Sequence, residues 1–123
     1  MINNNPKELA LKISKLLEDK RGEQIEILKV DHLTSITDYF VIASGRNNIA
    51  IRAMAEDLME KLGEENLEPR RTEGMRDSRW IVLDYASVIV HIFHFEEREY
   101  YNIERLWMDG SNQVSEQEGR RLL

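Results

Sequence analysis

The sequence of 123 residues contains no cysteine, which excludes disulfide bonds and any chemistry that needs a thiolate. No segment approaches the roughly 20 apolar residues of a membrane-spanning helix. The first twelve residues also lack the apolar run of a signal peptide. These absences predict a cytoplasmic protein that does not enter a membrane.

Positive charge is outnumbered by negative charge. The chain has 17 Lys and Arg against 23 Asp and Glu, a net charge of -6 at pH 7. Tight binding of nucleic acid draws on neutralisation of phosphates by basic side chains, so an acidic chain is a poor candidate for it. Because opposite charge speeds encounter, the composition favours a basic protein as partner.

The hydrophobic pattern predicts one domain, residues 1–108, followed by a polar and flexible tail, residues 109–123. Predicted helices begin at Asn5 and at Asn47 or Asn48, end at Gly22 and Gly63, and occupy residues 95–107. Predicted strands are residues 25–30 and 39–44, an edge strand or loop around 69–72, and a hairpin at 79–93. The order α-β-β-α-β-β-β-α predicts an α/β (α+β) fold, a mixed sheet with helices packed mainly on one face.

The hairpin is the most informative segment. With Ala86-Ser87 as its loop, Trp80 lies opposite Phe93 and the two faces differ. One face is apolar and belongs in a core: Ile81, Leu83, Tyr85, Val88, Val90 and Ile92. The other is mixed: Trp80, Val82, Asp84, Ile89, His91 and Phe93. Large aromatics with a few polar groups suit a protein interface, and coverage by one of the protein's own helices is the alternative.

Motifs for catalysis are weak. Ser44-Gly45 follows a predicted strand but lacks the glycine that a nucleophile elbow needs two residues before the serine. The sequence has no His-Glu-x-x-His motif, no glycine-rich phosphate pattern and no Asp-x-Asp pair on a predicted strand. His91 and His94 are three residues apart but need not converge on a metal. The sequence therefore predicts no enzyme, no cofactor and no metal site.

A local basic cluster lies beside the predicted edge segment. It consists of Arg70, Arg71, Arg76 and Arg79. Such side chains suit marginal contacts with RNA phosphates at the border of a larger assembly. A solvated loop is the alternative interpretation.

Several motifs, taken in their order and spacing, resemble the ribosomal silencing factor family, also called Iojap-like. They are residues 38–45 (DYFVIASG), Glu73 with Gly74, Trp80, Asp84, residues 90–93 (VHIF) and residues 98–107 (REYYNIERLW). The resemblance covers the chain from the first predicted helix to Trp107 and leaves the tail outside.

The resemblance implies a nucleotidyltransferase-like fold without catalytic acids, and a non-enzymatic repressor of translation. Family members bind the large ribosomal subunit through ribosomal protein L-fourteen and block joining of the small subunit. When free they are often homodimers. Two alternatives stay open. One is a nucleotidyltransferase-type enzyme with nucleotide and Mg²⁺ near Ser44, and the other is a homodimer seam on the mixed hairpin face.

On this interpretation the mixed face of the hairpin docks on the partner. The predicted partner-binding residues are Trp80, Val82, Asp84, His91, Phe93, Glu73 and Gly74. Trp80 is expected to be the central anchor, and Asp84 to accept a hydrogen bond from a basic side chain of the partner. Glu73 and Gly74 are expected to shape the adjoining loop.

Overall fold

The computed structural model describes residues 5–114 and places the elements almost as predicted. The helices are α1 (Pro6–Asp19), α2 (Asn48–Gly63), α3 (Phe95–Tyr101) and α4 (Ile103–Trp107). The strands are β1 (Glu23–Lys29), β2 (Tyr39–Gly45), β3 (Arg71–Glu73), β4 (Trp80–Asp84), β5 (Val88–His94) and β6 (Gln113–Val114). Within residues 5–114 no helix has the length and apolar character required to cross a bilayer.

All six strands form one sheet, in the order β3-β4-β5-β2-β1-β6. The central strands β2 and β5 run parallel, and every other neighbouring pair is antiparallel. The predicted mixed sheet of an α+β fold is therefore confirmed. The short strand β3 is an edge strand, as the proline-containing segment before it indicates.

The hairpin has the predicted register. Trp80 pairs with Phe93, and Asp84 pairs with Ile89. The Tyr85 N–H donates to the Val88 carbonyl at 2.9 Å, which closes the loop. This register sends the two sets of side chains to opposite faces of the sheet, because side chains alternate along a strand.

The first face of the sheet packs against α1 and α2. From the hairpin it contributes the six predicted core residues, all buried: Ile81, Leu83, Tyr85, Val88, Val90 and Ile92. The helices contribute, among others, Ile13, Leu17, Ile51, Met54 and Leu58. Burying each such side chain stabilises the fold by about 1.5–3 kcal/mol, so this layer holds the domain together.

The second face carries a smaller core under α4. Its buried members are Leu28, Val30, Phe40, Ile42 and Phe93, and Ile103 and Trp107 of α4 pack against them. The Phe40 and Trp107 rings meet edge to face, with centroids 5.2 Å apart. The two long helices thus share the first face, while the short α4 covers only part of the second.

The predicted helix at residues 95–107 is two helices. Asn102 separates them with φ 46° and ψ 50°, a left-handed conformation in which Asn is one of the few tolerated residues. Its N–H still donates to the Arg98 carbonyl at 2.7 Å. This break turns α4 back over the second face of the sheet.

Residues 109–114, the start of the segment predicted to be a flexible tail, include a sixth strand. Strand β6 pairs with β1, joining Val114 to Ile27 and Gln113 to Leu28. The Asn112 amide donates to the Lys29 carbonyl at 2.9 Å and to the Trp107 carbonyl at 2.6 Å. These bonds anchor the segment to the sheet, and residues 115–123 lie outside the described residues.

Candidate docking surface

The part of the second sheet face that α4 leaves open forms a shallow groove of about 200 Å³. It is lined by Ile36, Phe40, Arg71, Glu73, Val82, Asp84, Ile89 and His91. Ile36, in the loop before β2, exposes 58% of its surface, and Val82 and Ile89 are half-buried. We call Ile36, Trp80, Val82 and Ile89 the docking face. It is an open apolar surface with charged groups at one end. Protein interfaces have a similar arrangement, with an apolar core and a polar rim.

Trp80 is half-buried and held on three sides. Its indole stacks on Phe93, with centroids 4.7 Å apart, and lies 5.0 Å from the Tyr101 ring of α3. Its N–H donates to Nδ1 of His91 at 3.1 Å. The remaining exposed surface is therefore presented in a fixed orientation, which lowers the entropy lost when a partner covers it.

Phe93 does not lie on the exposed surface that the sequence predicts. It is completely buried, because it lies on a central strand between Trp80 and the small core under α4. Phe93 therefore supports Trp80 from beneath and has no surface for a partner to contact.

His91 is also buried, with 9% of its surface exposed. Burial lowers the pKa of its imidazole from 6.5 to about 4. The ring is therefore neutral at physiological pH, and Nδ1 accepts the indole proton of Trp80. The ring also packs edge to face on Phe40, with centroids 5.2 Å apart, and stacks on Phe93 at 6.1 Å. His91 thus fixes the orientation of Trp80 and adds little contact surface of its own.

This burial predicts a loss of stability in mild acid. Since the folded pKa of His91 lies below that of the unfolded chain, the unfolded state binds more protons between pH 6.5 and about 4. The contribution of the neutral His91 to the free energy of unfolding is fully present above pH 6.5. It falls by about 2 kcal/mol from pH 8 to pH 5. Urea unfolding of wild type and His91→Gln across this range measures it. A difference between the two proteins that does not change with pH would contradict the assignment.

Asp84 is not the free acceptor that the sequence predicts. Its side chain is 7% exposed, and both carboxylate oxygens lie 3.1 Å from the Arg70 guanidinium. Arg71 approaches at 3.5 Å, and the Ala86 N–H donates to Oδ1 at 2.8 Å. Asp84 therefore closes the hairpin loop and ties the segment before β3 to β4. A buried carboxylate with these partners is held by its own chain.

Glu73 and Gly74 lie beside the docking face. Glu73 ends the edge strand, pairs with Val82 and is exposed at the charged end of the groove. Gly74 has φ +82°, and a Cβ atom there would lie 1.9 Å from the Trp80 carbonyl oxygen. Only glycine allows the loop to pass this close to the start of β4.

The basic cluster is largely engaged with acidic side chains. Arg70 and Arg71 contact Asp84, and the Arg79 Nε donates to Glu97 at 2.8 Å. Arg76 is exposed in the loop that follows Gly74. The cluster braces the edge of the sheet and leaves Arg76 best placed for a further partner.

Sequence reasoning missed two contributors to this surface. Ile36 lies in a loop without periodicity, and no pattern in the sequence relates it to the hairpin. Tyr101 lies in a helical pattern whose break at Asn102 was not predicted, although aromatic residues in a surface helix are a signal for contacts of this kind. In the described residues no group of three or more His, Asp or Glu is arranged to hold a metal.

The fold is that of a small α+β protein with an open apolar area on the second face of its sheet. The chain matches the family described as "Ribosomal silencing factor during starvation" over residues 3–122. It therefore belongs to the ribosomal silencing factor family, and the match extends past Trp107 into the segment that the sequence resemblance left out.

Relatives and a solved structure agree with this assignment. "Ribosomal silencing factor RsfS" of Halalkalibacterium halodurans is 38% identical over 93 residues, covering 76% of this chain and 80% of that protein. The protein of the same name from Bacillus subtilis is 36% identical over 92 residues, covering 75% of this chain and 78% of that protein. A crystal structure from Bacillus halodurans superposes with a TM-score of 0.78 at 33% identity, covering 89% of this chain and 98% of that one.

Proposed function

We propose that this protein is a non-enzymatic translation repressor that binds the large ribosomal subunit through ribosomal protein L-fourteen. Bound there, it blocks joining of the small subunit in the cytoplasm. The observation that supports this most strongly is the half-buried indole of Trp80, held rigidly at the edge of an otherwise open apolar face. Fixed aromatic residues of this kind are the usual energetic centre of protein interfaces.

The charge of the chain supports a basic partner. The net charge is -6, and Glu73 is exposed at the end of the groove. A lysine or arginine of the partner can lay its aliphatic stem along Val82 and Ile89 and direct its charge to Glu73. In this arrangement Asp84 keeps its own arginines and shapes the groove from within.

The test is a substitution that reverses the character of the groove without disturbing the core. Val82→Lys places a positive charge on the docking face, where it opposes a basic partner. We expect sedimentation with purified large subunits to show binding weakened at least about 10-fold. Inhibition of subunit joining should fall in parallel.

Thr72→Lys is the matched control, because Thr72 lies on the neighbouring strand with its side chain on the opposite face. It is exposed and pairs with Leu83, whose side chain enters the first core. It adds the same charge to the same edge of the sheet, and binding should stay near the wild-type level. Equal loss in both variants would indicate a general charge effect and contradict a specific docking face.

The docking face also suits a second copy of this chain, so a homodimer competes with ribosome binding in this proposal. In that case Val82→Lys yields a monomer in solution, and adding large subunits dissociates the wild-type dimer.

Arg76 is the residue we propose for a marginal contact with ribosomal RNA. Arg76→Ala should lower the salt dependence of subunit binding with little effect on its specificity.

A further inference from the structure

A second concave site lies at a change of direction in the chain. Strands β2 and β5 are parallel neighbours, but the chain leaves β2 for α2 on the first face and leaves β5 for α3 on the side of Trp80. In sheets with parallel strands, ligands bind in the crevice that such diverging connections open at the carboxyl ends of the strands. Here that crevice has a volume of about 820 Å³.

A buried ion pair lies at the crevice. Arg98 is 6% exposed, its Nε donates to Glu104 at 2.8 Å, and its Nη1 donates to the Ser44 hydroxyl at 2.9 Å. The second carboxylate oxygen of Glu104 is buried without a hydrogen-bond partner among the described residues. Buried polar atoms are almost always paired, so this oxygen marks a place where a further donor completes the set.

Phe95 provides an aromatic platform at the mouth of the crevice. Its ring is 52% exposed, and it stacks on the His94 ring with centroids 4.7 Å apart at an angle of 24°. An exposed aromatic ring that is backed by a second ring is a surface on which a nucleobase stacks.

A second hollow of about 430 Å³ continues from the first and shares Glu23 and Arg46 with it. Lys20, Arg21 and the first turn of α2 line this hollow. Arg46 has 82% of its side chain exposed and lies 3.6 Å from Glu23. Three basic side chains and one carboxylate, that of Glu23, line this hollow, so its charge favours phosphate beside the first turn of α2.

We propose that these two hollows together bind a nucleoside phosphate. The base stacks on Phe95, polar groups of the sugar or base lie near Arg98 and Glu104, and the phosphates lie against Arg46 at the start of α2. The site is a binding site without a transfer step. It shares no lining residue with the groove at Val82 and Ile89, so it is independent of the docking proposal.

Isothermal titration of the full chain with ATP and GTP, without added metal, tests the proposal. Adenosine and inorganic phosphate, the two fragments of a nucleotide, are titrated separately. We expect a nucleotide to bind more tightly than either fragment. Phe95→Leu should weaken binding at least about 10-fold, the loss of one stacked base. Arg46→Ala should weaken the binding of nucleotides but not of adenosine.

Tyr100→Leu is the matched control, since Tyr100 is an exposed aromatic residue of α3 that does not line the crevice. It should leave the affinity unchanged. The proposal is overturned if neither nucleotide binds at millimolar concentration, or if phosphate alone binds as tightly as ATP. It is also overturned if both Phe95→Leu and Arg46→Ala bind as wild type does. Ribosome binding of the same variants should be normal, which separates this test from that of the docking face.

Discussion

Trp80→Ala is expected to weaken binding to the large ribosomal subunit by roughly 30- to 1000-fold, the equivalent of about 2–4 kcal/mol. The indole is the largest side chain of the docking face, and its contacts with Phe93, His91 and Tyr101 fix its orientation before binding. Truncation removes the anchor and frees its neighbours to move. Equilibrium sedimentation or surface plasmon resonance with purified large subunits measures the loss.

Two further variants make this result specific. Ile49→Ala removes an apolar side chain that is 83% exposed at the start of α2, away from the docking face, and binding should not change. Trp80→Phe keeps an aromatic ring but loses the hydrogen bond to His91, and the affinity should lie between wild type and Trp80→Ala. Thermal unfolding of each variant separates loss of fold from loss of contact. Wild-type affinity in a folded Trp80→Ala protein would remove Trp80 from the interface.

Gly74→Ala is expected to destabilise the fold by about 3–5 kcal/mol. The added Cβ would lie 1.9 Å from the Trp80 carbonyl oxygen, and φ is +82° at this position. Neither the backbone of β4 nor the loop can move aside without disturbing the strand that carries Trp80. Urea unfolding followed by circular dichroism measures the free energy of unfolding, and ribosome binding should weaken as well.

Gly110→Ala is the control for the strain alone. Gly110 has φ +90°, but a Cβ there meets no atom within 4 Å. Its substitution should cost only about 1–2 kcal/mol, the penalty of an L-residue in a left-handed conformation. Equal losses at the two glycines would show that contact with Trp80 contributes nothing and that the loop is free to move.

The hairpin could be predicted from the sequence because its information is local. The polar break at Ala86-Ser87 sets the register, and alternation then assigns every side chain between Trp80 and Phe93 to a face. Helix caps are local in the same way. Asn47 accepts from the Ala50 N–H at 2.8 Å, as a residue of its type before an amphipathic segment indicates.

What the sequence could not provide was the long-range covering of those faces. Alternation places Phe93 on the second face, but its burial depends on Trp80, which stacks on it, and on the small core that includes Phe40, and these residues are distant along the chain. Asp84 is bound within the chain and is not available to a partner, because Arg70, which lies 14 residues away in the sequence, donates a hydrogen bond to it. Strand β6 has only two residues, too few for a periodic signal, and it forms because β1 offers a free edge.

The most direct measurement is a cryo-electron microscopy structure of this chain bound to the large ribosomal subunit. We predict that ribosomal protein L-fourteen covers the Trp80 indole together with Val82 and Ile89. We also predict that the surface formed by α1 and α2 stays in solvent. A complex in which that helical surface contacts the subunit and the indole stays exposed would contradict the account.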